Sequence, residues 1–452
     1  MKQSSEKLGL KKIGINSFQT ITRQSLSIVF GLGLYILLAR ILGPEGSGLY
    51  AMGLLLPSTL ATFLNLGVTS SNVYFIASGK VTPVQAAKTS FLLWAVLSLI
   101  GCLAASAVII TQGEVWFPGV PKFLLWLGTL AFPVILLLAF LEGFFQGVQD
   151  FKSYNMFLLL VPGLTLVFAL ILVGILRTGV MGALLSFIGG NVVGLLIGLG
   201  MLRSHIRRNK QEVIGSGSKN YLRECLNYGW KSHLSNMLAF VNYKADIFLV
   251  NFFLSPAATG IYSISVLIAE KLWILSYSVG AVILPHLSEL HQEEQKRKQL
   301  TPLIARWVLF ASSLGAAIIA LVAFPFINLL FGKEFAPAFG ALLWLLPGVA
   351  IYSMARVLSN DIAARGKPEL NCYNELVVVT VNVLANIVLI PRFGIKGAAI
   401  ATSIAYILGA ITKLWIYSYV SKNEWWKPII FDSYDRSFIK ESIKLVIKAF
   451  AR

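Results

Sequence analysis

Along this 452-residue chain the apolar residues neither alternate nor recur at short intervals; they run in blocks of 20 or more, separated by brief polar clusters. A helix of about 20 apolar residues is long enough to cross the roughly 30 Å hydrocarbon layer of a bilayer. Twelve blocks fit that length, at 15–41, 48–76, 85–111, 121–146, 154–176, 179–202, 226–254, 258–288, 302–331, 337–363, 371–391 and 395–420. The pattern predicts an all-α, polytopic membrane protein of about twelve transmembrane helices. The first block opens on a polar turn and has no small-x-small cleavage signature, so it reads as an uncleaved helix and not as a signal peptide. An even number of crossings places both chain ends on one side.

Composition agrees with the pattern. The chain is 56% hydrophobic and 13% charged, with a mean hydropathy of +0.75, against about 25% charge in soluble domains; a water-soluble enzyme is excluded. The 38 Lys and Arg outnumber the 20 Asp and Glu, for a net charge of +18. Of these cations, 26 fall in the N-terminal tail, alternate loops and the C-terminal tail, six in the other loops and six within blocks. Lys and Arg in short loops stay cytoplasmic, so both termini are expected in the cytoplasm of a cell carrying this protein in its cytoplasmic (inner) membrane. The cations do not stripe a soluble surface, so nucleic acid is not the expected partner. Membrane lipids are, because loop cations of this kind touch anionic headgroups. Cys102, Cys225 and Cys372 are widely spaced and suggest neither a disulfide framework nor a metal site.

The most basic loop, 203–225, carries Arg207, Arg208, Lys210 and Lys219 beside the flexible run Gly215-Ser216-Gly217-Ser218. It reads as a cytoplasmic linker between an N-terminal lobe (1–202) and a C-terminal lobe (226–420) of six helices each. In the tail (421–452), Ile439, Ile443, Val446 and Phe450 share one helical face beside Lys440, Lys444 and Lys448, the pattern of a helix lying on the cytoplasmic leaflet.

The halves echo each other. Pro44, Gly48 and Tyr50 match Pro256, Gly260 and Tyr262 at one constant offset of 212 residues. Leu124-Leu125-Trp126-Leu127 recurs as Leu342-Leu343-Trp344-Leu345. Gly147, Tyr154 and Asn155 recur as Gly366, Tyr373 and Asn374, and Arg177-x-Gly179-Val180-x-Gly182-Ala183 as Arg392-x-Gly394-Ile395-x-Gly397-Ala398. The order of these matches predicts a six-plus-six duplication: two pseudo-symmetric lobes, parallel in the membrane, with substrate handled between them.

The segment from Leu38 to Tyr50, followed by Asn65-Leu66-Gly67, resembles the opening signature of the polysaccharide-transport flippases of the multidrug/oligosaccharidyl-lipid/polysaccharide exporter superfamily. Phe331-Gly332-Lys333-Glu334-Phe335 with Ala338 is similar to that family's second-half signature. The resemblance covers the chain to about residue 420 and rests on fold-marking glycines and prolines, so it speaks to family more than to substrate. It implies a flippase for an undecaprenyl-(pyro)phosphate-linked oligosaccharide, of the O-antigen or exopolysaccharide type, working by alternating access beside glycosyltransferases and a polysaccharide polymerase. A multidrug exporter on the same fold is the alternative.

Ionisable residues within spans cost about 2.5–3.5 kcal/mol at a helix centre, so they normally face a cavity or one another. Arg23 lies two turns into the first block and shares a face with Asn16, Thr20 and Ser27. That points to a cavity, against the alternative that its long side chain snorkels to the interface. In the seventh block Tyr228, Lys231, Ser235, Asn242 and Asp246 form one stripe, with His233, Lys244 and Asn251 opposite. Arg23 and Lys231 occupy equivalent depths in the two repeats, where two cations can converge on one anion; the alternative keeps Lys231 at the interface and pairs Lys244 with Asp246. Arg356 is a further candidate for the cavity wall. Glu270 and Lys271 are adjacent, so at most one of them faces a lumen. Tyr228, Tyr243, Trp273 and Tyr277 are candidates for stacking on sugar, or for plain packing.

The sign of this set favours an anionic headgroup, because guanidinium binds phosphate bidentately and ammonium adds a point charge. A membrane polymerase or ligase would need clustered acids, bases or metal ligands on a sizeable outer loop. The four histidines (His205, His233, His286, His291) are scattered and the outward loops short, the longest near Thr111 to Pro121, so no enzyme, cofactor or metal is expected. With no nucleotide-binding motif, the candidate ion-coupling groups are the acids within blocks: Glu142, Asp246, Glu270, Asp361 and Glu375. Asp246 leads because it sits deepest and shares a face with Lys231, against the alternative of a structural pair.

Overall fold

The computed structural model describes residues 2–208, 220–289, 293–432 and 435, with the side chains among them except 2–25, 208, 231, 232, 281, 282, 284–286, 288 and 289. The Gly-Ser run of the linker and the tail segment expected to form an amphipathic helix fall outside the described residues. So do the side chains of Asn16, Thr20, Arg23 and Lys231, although their backbones lie in helices.

Among the described residues every regular element is helical. In chain order they are α1 (Lys2–Leu64), α2 (Val68–Ala77), α3 (Pro83–Trp116), α4 (Lys122–Thr129), α5 (Ala131–Gly147), α6 (Phe151–Ala169, continued by the π-turn Leu170–Ile175), α7 (Gly179–Arg208) and α8 (Tyr221–Phe253). They continue with α9 (Pro256–Ala269), α10 (Trp273–Glu289), α11 (Glu294–Leu330), α12 (Ala338–Ala364), α13 (Glu369–Phe393) and α14 (Ile395–Ser421).

Among the described residues ten stretches are long and apolar enough to cross a membrane; the chain is a multi-pass membrane protein. The first of them, Leu26–Leu64, has 39 residues, about twice what one crossing needs at 1.5 Å per residue, and it breaks in the middle. Pro44 has no N–H for the helix ladder and pushes the residue before it out of the helical region. Gly43 accordingly takes φ 65°, ψ −170°, a left-handed φ open to glycine. The second repeat breaks at the matching place, between α8 and α9, where Ser255 Oγ caps α9 by accepting from the Ala258 N–H at 3.2 Å. With α1 counted twice across its break, and α8 added, the crossings number twelve. The polar stripe of α8 keeps it below the apolarity of the other ten. Boundaries differ from the sequence reading in places: the second block is interrupted after Leu64 by a turn with Gly67 at φ 73°, and α3 runs on to Trp116, so the outward loop expected from Thr111 shrinks to 117–121. Pro133 sits in the first turn of α5, where proline needs no kink, whereas Pro57, Pro162, Pro325 and Pro347 lie inside helices.

The chain divides into two compact units. The first comprises Met1–Phe240, Asn251–Ile261 and Leu330–Glu334. Its core is built on Phe132, Phe140, Phe144, Phe145 and Phe157, all buried. Lipid tails are as apolar as these side chains, so close helix approach depends on small residues: a Cβ on Gly128 would come within 2.0 Å of the Gly53 carbonyl oxygen, and one on Gly143 within 2.5 Å of Thr69 O.

The second unit comprises Val241–Val250, Tyr262–Leu329 and Phe335–Arg452. Here α12 packs along α14 through a small-residue seam, where the Gly348 N–H donates to Ser403 Oγ at 3.3 Å and that hydroxyl donates to Trp344 O. Two buried ionic groups tie its helices. Asp361 receives Arg297 Nε at 2.7 Å and Arg365 Nε at 2.6 Å, and Arg365 reaches Glu294 at 2.8 Å. Burial works against the charge of Arg365, but Asp361 and Glu294 beside it hold its pKa above the usual value. Arg306 on α11 bonds Asp435 at 2.8 Å, Asp432 at 3.3 Å and the Lys427 carbonyl at 2.7 Å, and Trp307 meets Phe431 edge to face. The described part of the tail is thus folded onto α11.

Candidate functional site

Arg356 on α12 sits in an aromatic and polar arrangement of the second unit. Trp273 and Tyr277, four residues apart on α10, project from one helical face. Both rings lie against the Arg356 guanidinium, their centroids 4.1 and 4.5 Å from Cζ, inside the range of cation–π attraction. Nη2 donates to the hydroxyl of Tyr243. Nε is buried without a hydrogen-bond partner, and among the described residues no carboxylate lies within ion-pair distance of this arginine. The clamp is itself braced: Trp273 Nε1 donates to Val349 O at 3.3 Å, and its ring packs 5.5 Å from Tyr243 and 5.7 Å from Tyr406.

Asp246 is buried a turn further along α8. Its Oδ2 accepts from the Tyr262 hydroxyl at 2.8 Å and lies 3.5 Å from Thr402 Oγ1, while Oδ1 accepts from the Ile247 N–H at 2.8 Å. Asn382 Nδ2 donates to Thr402 Oγ1 at 3.2 Å, and Asn386 Nδ2 donates to Asn382 Oδ1 at 3.1 Å. All five side chains are buried, and Asn386 Oδ1 has no partner. The hydrogen bonds to Asp246 come from these neutral donors, and Lys244, weighed as its partner from sequence, acts on it through its charge.

Of the other sequence candidates, Asn242 is buried in the second unit with an unpartnered Oδ1, and the half-buried Ser27 of the first has an unpartnered hydroxyl. Ser235 is half-buried in the first unit. The boundary between the units falls within α8 after Phe240, so Tyr228, Lys231 and Ser235 belong to the first unit and Asn242 and Asp246 to the second. On the first-unit side Tyr228 stacks on Tyr74 at 4.6 Å and His233 lies 3.3 Å from Phe63 O. Glu142 is 3.4 Å from the Tyr154 hydroxyl, which donates to it; Glu375 accepts from Tyr352 at 2.6 Å; Glu270 is half-buried in a 3₁₀ turn. Asp361, another coupling candidate, has both oxygens engaged by arginines. The expected stacking aromatics thus have protein partners: Tyr228 on Tyr74, and Trp273 and Tyr277 on Arg356.

Sequence reasoning gave no role to Lys413. It is 0% exposed within α14, and its Nζ donates to Asn371 Oδ1 at 2.8 Å. The signal was present, as a lone cation in an apolar span is a functional candidate by default. Likewise, the i,i+4 spacing of Trp273 and Tyr277 marks a shared face but does not name the cation it covers.

A family model described as polysaccharide biosynthesis protein matches residues 37–339, well over half of the chain. A protein named as a low-salt glycan biosynthesis flippase in Haloferax volcanii is 23% identical over 50% of this chain and 47% of its own length, so the chain spans about half of that relative. A protein named as an O-antigen transporter in Shigella flexneri is 24% identical over 84% of this chain and 92% of its own. Among solved structures, a lipid II flippase in an inward closed conformation superposes with a TM-score of 0.71 at 16% identity, covering 89% of this chain and 90% of that one.

Proposed function

Since the chain belongs to the polysaccharide biosynthesis protein family, we propose that it is a flippase that carries an undecaprenyl-(pyro)phosphate-linked oligosaccharide, an O-antigen or exopolysaccharide repeat unit, from the cytoplasmic to the outer leaflet of the cell membrane. The observation that carries this reading is the sign of the uncompensated charge. Asp246, Asp361 and Glu375 accept hydrogen bonds or ion pairs, whereas among the described residues no carboxylate is bonded to Arg356, on which Glu270 acts only through its charge. A desolvated cation with no bonded counter-ion favours an anionic cargo. An exporter of organic cations needs the opposite sign.

Mechanistically, the headgroup enters from the cytoplasmic side, where both termini lie, and meets the Arg356 guanidinium. The polyprenyl tail stays in the bilayer, since withdrawing it costs about 0.8 kcal/mol per CH₂. Rocking of the lobe 1–202 against the lobe 226–420 then exposes the headgroup outward. No bond is made or broken in the cargo, so the protein is a transporter and not an enzyme, and it serves a polymerase and glycosyltransferases. Asp246 is the coupling group, with a proton or a cation exchanged at its carboxylate.

Depletion of the protein tests the reading. Lipid-linked repeat units should accumulate in the cytoplasmic leaflet while surface polymer falls, and Arg356→Ala at normal protein level should reproduce the defect. Unchanged polymer with newly acquired sensitivity to cationic drugs would favour the exporter instead.

A further inference from the structure

We propose that residues 422–431, which follow α14, form a docking surface for the bilayer itself: an aromatic platform seated in the headgroup region of the cytoplasmic leaflet, with anionic phospholipid as its preferred ligand. The partner is the membrane around the protein, so the proposal stands whatever the cargo is.

The chain reverses at the end of α14. Lys422 takes a left-handed conformation at φ 51°, and Asn423 fixes the turn: its Nδ2 donates to Lys298 O on α11 at 2.8 Å, and its Oδ1 accepts from the Glu424 N–H at 3.2 Å. The segment then follows α11 from Lys298 towards Phe310, held midway by Arg306. That guanidinium, 2% exposed, forks onto Asp435 from Nε at 3.3 Å and Nη2 at 2.8 Å, and donates from Nη1 to Lys427 O at 2.7 Å. A bidentate, charge-assisted pair of this kind sets orientation as well as energy.

Between these ties the polarity of the segment is inverted. Its polar anchors Asn423 and Asp435 are buried, whereas Trp425, Trp426, Ile429, Ile430 and Phe431 are exposed, Trp425 by 55% and Ile430 by 54%. A chain folded for water does the reverse. Five large apolar side chains exposed within seven residues make a contact surface, and the arrangement is built, because the groups that hold it are the buried ones.

The depth of the segment identifies what covers it. Phe310, Leu314, Ile318, Leu321 and Leu329 are exposed along one side of α11, which among the described residues has no large exposed apolar side chain before Phe310. From 310 to 329 is about 29 Å at 1.5 Å per residue, the thickness of the hydrocarbon layer. Phe310 therefore marks one edge of that layer, and the Phe431 ring lies against it at 6.0 Å and against Trp307 at 5.6 Å. Trp425 and Trp426 fall at the interface, where tryptophan is enriched. Charge selects the lipid. Lys298 and Lys422 have no ion pair among the described residues, and the Lys298 ammonium lies 3.5 Å from Lys422 O. The sequence after Asp435 adds Arg436, Lys440, Lys444, Lys448 and Arg452 against Glu441. Such cations favour the cytoplasmic side, whose leaflet carries the anionic lipid.

The test uses the full-length chain in vesicles of phosphatidylcholine and phosphatidylglycerol, with Ile430→Cys carrying a bimane label and Cys102, Cys225 and Cys372 replaced by Ala. Ile318→Cys and Glu293→Cys, labelled in the same way, are the lipid and water references. Lipid brominated near the headgroup end of its chains should quench the label at 430 several-fold more than that at 293, and aqueous iodide several-fold less. Brominated phosphatidylglycerol should quench it about twofold more than brominated phosphatidylcholine at the same mole fraction, and Lys298→Gln with Lys422→Gln should abolish the difference. Asp435→Asn, which takes the fork from Arg306, should raise iodide access at 430 and leave 318 unchanged. A second measurement needs no cysteine replacement: on the unaltered chain a photoactivatable phosphatidylglycerol should leave adducts within 425–431, located by mass spectrometry. Iodide quenching at 430 equal to that at 293, or adducts on 310–329 with none on 425–431, overturns the docking surface. Shielding from both quenchers shows a protein on the platform and overturns it too. Equal quenching by the two brominated lipids removes the anionic preference, and unchanged iodide access in Asp435→Asn removes the part given to Arg306.

Discussion

Gly48 and Gly260 face each other across the two helix breaks: a Cβ on Gly48 would lie 1.7 Å from the carbonyl oxygen of Pro256, and one on Gly260 would lie 2.0 Å from that of Pro44. The contact is reciprocal between residues that the sequence relates by its constant offset of 212, as a local two-fold requires. The surroundings repeat the exchange. Arg40, just before the first break, donates from Nε to Leu330 O at 2.8 Å, and Asn251, just before the second, donates from Nδ2 to Pro118 O at 3.2 Å. The family-like glycines and prolines at these positions thus have a physical role, which is to let two backbones touch.

Gly48→Ala should therefore force the two breaks apart. The overpacking should destabilise the protein by about 1–3 kcal/mol, read as a lowered melting temperature in detergent. Gly31→Ala, where a Cβ meets nothing within 4 Å, is the control and should be neutral or slightly stabilising. Equal effects of the two substitutions would remove the reciprocal contact from the account.

Asp361→Asn should be costly for another reason. The change leaves the buried Arg297 and the half-buried Arg365 around a neutral amide, and breaking a buried pair from one side costs about 3–5 kcal/mol. Thermal unfolding of the variant reads this directly, and a melting temperature equal to that of the wild type would show the ionic group to be dispensable.

Topology is testable on exposed side chains. Glu114 pairs with Lys122 at the end of α3, and Lys80 lies in the turn before it. A cysteine replacing Glu114 should react with a membrane-impermeant maleimide in intact cells, and one replacing Lys80 only after permeabilisation. The opposite pattern would invert the orientation derived from the loop cations.

Much of the framework was legible because it depends on local rules. Apolar block length located the spans, and Gly43-Pro44 and Ser255-Pro256 mark breaks that any helix containing them would show. The site was less legible, since a helical wheel gives the face of a residue and not its neighbour. Arg297 and Asp361 are 64 positions apart in sequence, and Arg356 takes its clamp from α10 and α8. Which cations are neutralised is decided by packing among distant segments, so the separation of Arg356 from the ion-paired arginines emerged only with the structure. The periodic pattern that defines the polar stripe of α8 gives no sign that its two halves belong to different units.

Asp246→Asn addresses the coupling proposal. An amide keeps an acceptor for Tyr262 but cannot exchange a proton or attract a cation as a carboxylate does. Cargo binding should persist while transport loses its dependence on the ion gradient. Normal transport with the gradient dependence intact would leave Asp246 a structural hydrogen-bond centre.

The most direct measurement is transfer between leaflets. Purified protein in unilamellar vesicles, with an undecaprenyl-pyrophosphate-linked oligosaccharide on one leaflet, should move the glycan to the other, where an impermeant glycosidase or lectin detects it. The account predicts transfer well above that of protein-free vesicles, with Arg356→Ala reduced towards the protein-free level. Transfer no faster than in protein-free vesicles, with and without an imposed ion gradient and by protein that still binds the lipid, would contradict it.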